Sequence, residues 1–126
     1  MKYFWIPAAV LTVLLAASLW NARQVEATAE PWRASVGEAV STAERGDWDT
    51  ALRLVRDTRE SWYAHHSYFH IVIAHDELVK VDALFATAES YAVEQEMSEF
   101  RAETAELSEQ ISILIETQKL TMRNVL

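Results

Sequence analysis

Eighteen successive residues, Tyr3 to Trp20, carry no charge, and only Thr12 and Ser18 interrupt their apolar run; from Asn21 onward apolar and charged positions intermingle. At about 1.5 Å per residue the run makes a helix of roughly 27 Å, close to the ~30 Å hydrocarbon thickness of a bilayer. Trp5 and Trp20 stand near its two ends, where indole rings favour the headgroup boundary. The pattern predicts a membrane anchor, or uncleaved signal, over residues 1–24. A rival reading is a cleaved secretory signal with Lys2 as its basic start and Ala27-Thr28-Ala29 as the cut. Such signals have shorter apolar segments, and nine residues separate Trp20 from that cut. A buried core helix is the third reading, but a core helix normally keeps one wet face. Pro7 lies in the first turns, where its missing amide hydrogen does least harm.

After a short linker expected over 25–31, the period changes to one apolar position every three or four residues. Pro31 suits the first turn of a helix running through Val36, Val40 and Ala43, and Gly46 stops it. Asp47 then caps a second helix, with Trp48, Ala51, Leu52, Val55 and Trp62 on one side. A break is placed near His66 or Ser67. The next stripe passes through Phe69, Ile73, Leu78, Val81, Leu84, Phe85, Ala88 and Tyr91, and a turn is expected at Glu94 to Ser98. Phe100, Leu107, Ile111, Leu114 and Ile115 form the seam of the last helix. The expected fold is all-α: an N-terminal transmembrane helix followed by an antiparallel bundle of about four helices in a domain over 32–126. Gly46-Asp47-Trp48 with Ala51-Leu52 resembles one tetratricopeptide-like hairpin, but no second copy recurs at a ~34-residue period, which argues against a solenoid.

Composition supports helix over sheet, since the chain has only two glycines and two prolines to punctuate turns. No cysteine is present, so disulfides, a thiolate nucleophile and a cysteine zinc site are excluded. Residues 30–126 hold 18 of the 19 acidic residues and 9 of the 11 basic ones, all but Glu26, Lys2 and Arg23. That balance argues against nucleic acid and against docking on anionic lipid heads. Lys2 precedes the apolar run, whereas Arg23 is the only basic residue among the eleven after Trp20. The asymmetry predicts a single-pass cell-membrane protein, amino terminus cytoplasmic and C-terminal domain extracytoplasmic.

All four histidines, His65, His66, His70 and His75, fall within eleven residues. His66 and His70 are four apart and on one helical face, which makes them the metal-ligand candidates, but no carboxylate lies within one turn on that face. His75-Asp76-Glu77-Leu78 approaches a zinc-protease helix, yet the second histidine it requires is Val79. His75 and Asp82 are seven residues and about 10.5 Å apart along an axis, too far for a direct dyad. No catalytic residue and no cofactor is therefore expected. Four imidazoles beside many carboxylates also allow a response to pH near 6. Between Glu89 and Glu116 eight acidic residues accompany one basic residue, Arg101; this reads as a solvated face, and its spacing does not match a calcium loop.

The order of landmarks is more specific than any one of them: the anchor, Gly46-Asp47-Trp48 with Ala51, Trp62, Ile73-Ala74-His75-Asp76-Glu77-Leu78 with Asp82, and the terminal Thr121-Met122-Arg123-Asn124-Val125-Leu126. In that order the chain resembles the bacterial family catalogued as domain of unknown function 4363. The resemblance implies a small membrane-anchored helical protein without an assigned activity, in which His75, Glu77 and Asn124 match recurring polar positions. Those three suit a structural polar clamp, because carbonyls at a helix end need partners. The expected function is a non-enzymatic interaction or scaffold module, held in the bilayer through residues 3–20, that recruits or stabilises an envelope protein partner. The alternatives are a pH- or metal-responsive sensor built on His65 to His75, and a secreted or periplasmic helical protein cut near Ala29.

Overall fold

The computed structural model describes residues 3–65 and 75–125, with the side chains of Val25 and 118–125 outside that description. Four helices and no strand occur among the described residues: α1 (Trp5–Glu44), α2 (Trp48–Ala64), α3 (His75–Glu94) and α4 (Met97–Val125). Each packs beside its chain neighbour, and α4 returns beside α1, so they close an antiparallel up-and-down bundle.

One correction concerns the start of the domain. Residues 25–31 are not a linker but the middle of α1, and Pro31 lies inside that helix rather than in its first turn. Glu26, Ala27, Ala29 and Glu30 are strong helix formers and carry the helix through the segment. Pro31 is exposed, so the Ala27 carbonyl that loses its usual donor can turn to water. The first bundle helix is thus the continuation of the apolar segment, and the bundle consists of that continuation with α2, α3 and α4.

Within α1 the two ends live in different surroundings. Trp5, Ile6, Val10, Leu11, Val13, Leu14, Leu19 and Trp20 are exposed, whereas Ala29, Trp32, Val36, Ala39 and Ala43 are buried at alternating spacings of three and four. The core continues through Ala51, Val55 and Trp62 of α2, Leu78, Val81, Phe85 and Ala88 of α3, and Phe100, Leu107, Ile111 and Ile115 of α4. The expected seams of α2 and α4, and that of α3 from Leu78 onward, are therefore present, with Trp48, Leu52 and Tyr91 only half-buried at their margins, whereas Phe69, Ile73 and the break expected near His66 or Ser67 lie outside the described residues. Alanines 39, 43, 51, 88 and 92 dominate near the turns and permit close approach; Trp32, Trp62 and Phe85 fill the opposite end. Buried threonine hydroxyls are satisfied locally, Thr42 donating to the Ala39 carbonyl at 2.9 Å and Thr104 to that of Phe100 at 2.8 Å.

The two described turns repeat one another forty-nine residues apart. Gly46 (φ 83°) and Gln95 (φ 56°) both take the left-handed conformation. Gly46 N–H donates to the Ala43 carbonyl and Asp47 N–H to that of Thr42, while Gln95 N–H donates to Ala92 and Glu96 N–H to Tyr91. Buried Ala39 and Ala43 likewise have their counterparts in Ala88 and Ala92. The bundle is two similar helical hairpins facing each other, a relation that a search at a 34-residue period does not reveal. Asp47 caps α2 as expected, its carboxylate accepting from Thr50 N–H at 3.2 Å.

Candidate functional site

At the end of the bundle away from these turns, α1 and α2 frame a groove of about 440 Å³ whose walls include Thr28, Trp32, Ser35, Asp57, Ser61 and His65. The sequence puts Trp32 there because Ala29 and Val36, one turn to either side, carry the same stripe into the core. Its indole N–H donates to Ser61 Oγ at 2.9 Å, and its ring meets Trp62 edge-on with centroids 5.6 Å apart. Trp62 is fully buried and donates through Nε1 to the Asp82 carboxylate of α3. His65 closes the groove: its ring lies edge-on to Trp32 at 5.8 Å and its Nδ1 is 2.9 Å from the Ser61 carbonyl. A carbonyl only accepts, so Nδ1 carries a proton. Two tryptophans are thereby fixed by their polar ends, and the groove beside them presents hydroxyls, one carboxylate and one imidazole.

On the other side of α2, Glu89 of α3 bridges two arginines, accepting from Arg56 Nε at 2.9 Å and from Arg59 Nη1 at 2.7 Å. Burial pushes the Glu89 carboxyl upward, but the hydrogen bonds and charges of Arg56 and Arg59 outweigh it and leave the group below its ordinary value. Arg59 is held above its own ordinary value by hydrogen bonds with Tyr63 and then Glu89. At Asp47 the Thr50 hydrogen bonds hold the carboxyl below the usual carboxylate range.

The sequence candidates fare unequally. His66 and His70 lie outside the described residues, and among the described residues no group of three or more potential ligands gathers for a metal. His75 is exposed at the first position of α3, Glu77 is half-buried one residue beyond Asp76, and Asn124 lies in the last turn of α4 with its side chain outside the description. The 29 residues of α4 outrun the 20 of α3 by nine. Asn124 accordingly lies about 12 Å further along the bundle axis than the level of His75. The clamp expected of them involves the Asn124 side chain and so lies outside the described residues. Trp5 and Trp20 are both exposed on α1. Sequence reasoning missed Trp32, although the spacing Ala29, Trp32, Val36, Ala39, Ala43 carried the clue.

The family described as domain of unknown function 4363 matches residues 19–125. The chain belongs to that family. The match opens one residue before Trp20, so domain of unknown function 4363 comprises the whole bundle with its tryptophan groove, and most of the exposed apolar segment lies before it. No curated protein and no solved structure matches the chain.

Proposed function

We propose that this protein is a single-pass membrane module with no catalytic step, whose bundle stands outside the cytoplasm and recruits or stabilises an envelope protein partner. The observation that carries it is the continuity of α1. One 40-residue helix contains a window of mean hydropathy 1.6 with none of its residues buried, and then becomes a wall of the bundle core. A bundle so attached has no free swivel, so a membrane-inserted α1 would present the groove between α1 and α2 at a fixed height and orientation. Confinement to the bilayer raises the effective concentration of the module towards a partner in the same envelope.

Affinity capture of the full chain from membranes, compared with Ser35→Trp, tests the reading. A partner recovered reproducibly by the wild type and lost when an indole fills the groove supports it. Failure to recover any reproducible envelope partner overturns it.

A further inference from the structure

The register between α1 and α4 fixes how far the bundle reaches towards the membrane. Arg101 Nη2 donates to Glu44 Oε1 at 3.2 Å, and Thr104, Ala105 and Ser108 line a hollow with Val36, Gly37 and Val40. Counting twenty-four residues down α4 from Arg101 reaches Val125, and twenty-four back along α1 from Glu44 reaches Trp20. Both paths cover about 36 Å at 1.5 Å per residue. The last turn of α4 is thus level with Trp20, the end of the apolar run. Among the described residues α2 ends at Ala64 and α3 begins at His75, so α1 and α4 alone extend to that level. Beside them Trp20, Gln24, Thr28 and His65 line an open hollow of about 240 Å³.

Charge divides at the same level. Every one of the 19 acidic residues lies between Glu26 and Glu116. Below them α1 carries Arg23 and α4 carries Arg123, with Lys119 beside the lowest acid and no acid from residue 117 to the last residue of α4 or from Trp5 to Val25. Arg23 and Arg123 stand at nearly the same height, about a turn above Trp20 on that register. Lys119 shares a level with Glu26. The net acidity that argues against lipid docking belongs to the upper bundle, and the base has the opposite sign.

The geometry points to a docking surface: the base of the bundle, formed by α1 around Arg23 and the last turns of α4 with Lys119 and Arg123, rests on the anionic phospholipid headgroups of the bilayer that holds α1. This rests on the membrane-spanning reading of α1. Attraction between cations and an anionic leaflet acts over roughly a Debye length of 8–10 Å, so it needs register and sign rather than one side-chain geometry. It also opposes the acidic upper bundle, which the same leaflet repels, and so favours an upright bundle.

Because the chain has no cysteine, single spin labels can be placed on the full chain at Leu11→Cys, Gln24→Cys and Ser98→Cys. In phosphatidylcholine vesicles bearing a headgroup-tethered nickel chelate, added phosphatidylglycerol should raise relaxation of the Gln24 label about twofold. Salt should abolish the gain, the triple variant Arg23→Gln, Lys119→Gln, Arg123→Gln should lack it, and the label at Ser98 should not respond. An unchanged Gln24 label, with the Leu11 label accessible to oxygen and shielded from aqueous reagents, overturns the docking surface while the span stands. A Leu11 label in water overturns the span and the docking with it.

Discussion

The two ends of α1 are one helix with opposite surfaces. From Trp5 to Trp20 it is apolar all round and exposed; from Ala29 to Glu44 it is apolar on a single stripe, which is buried, and charged or polar elsewhere. Helix formation does not distinguish them, because both are rich in helix formers. Angular distribution does. A side chain of either kind can extend a helix, but only a uniform apolar circumference is stable where no water reaches. The ends should therefore fail independently, and the largest effect belongs to the bundle. Trp32→Ala deletes a buried indole and its bond to Ser61, and should lower the unfolding free energy by about 3–5 kcal/mol. Thermal melting followed by circular dichroism should show that loss while the membrane-bound fraction is unchanged.

Leu11→Arg is the reciprocal change. A cation at the centre of a span costs about 2.5–3.5 kcal/mol in insertion, so the protein should leave the membrane fraction while its bundle melts as before. A bundle that lost stability with Leu11→Arg, or membrane release with Trp32→Ala, would break the separation between the two ends.

Much of this division is legible in the residues alone. The uniform run to Trp20, the Gly46-Asp47 turn and the seam from Phe100 to Ile115 each rest on a local rule: circumference, left-handed glycine with a capping carboxylate, and spacing. The continuity across 25–31 is not legible by the same rules, since Pro31 signals a helix start and only the packing of Ala29 and Trp32 against the core shows that the helix had already begun. The groove is harder still. Trp32 is twenty-nine or more residues from Ser61 and His65, on a different helix, and no periodicity within one helix reports which neighbour it will face. The hairpin repeat is hidden for a different reason: its shared features are one backbone conformation and two alanines, and Gln95 stands where the first copy has glycine.

Smaller changes sharpen the comparison by moving the bundle alone. Asp47→Ala removes the carboxylate that accepts from Thr50 N–H and should lower the bundle's denaturant midpoint. Glu89→Gln should cost about 0.5–1 kcal/mol at neutral pH, because the bridge to Arg56 and Arg59 is partly exposed. Its sign with pH is fixed. A carboxyl whose folded value is depressed stabilises above its ordinary 4.5 and loses that contribution as pH falls through the folded value. The gap between wild type and Glu89→Gln in chemical denaturation should therefore be open at pH 7 and close on acidification below 4.5. Insertion of the uncharged apolar end should not change with pH over the same interval.

The smallest effect has the opposite direction. Gln95 holds φ 56° at the turn where the first hairpin has Gly46 at 83°. A side chain in the left-handed region costs roughly 1 kcal/mol that glycine avoids, while glycine's freer unfolded chain returns part of it. Gln95→Gly should thus stabilise the bundle by about 0.5 kcal/mol in denaturant midpoint, and Gly46→Ala should destabilise it by a similar or larger amount. If both substitutions destabilise, the two turns share a shape but not a conformational requirement, and the second hairpin draws its stability from Phe100 and Leu107 in the core rather than from its turn.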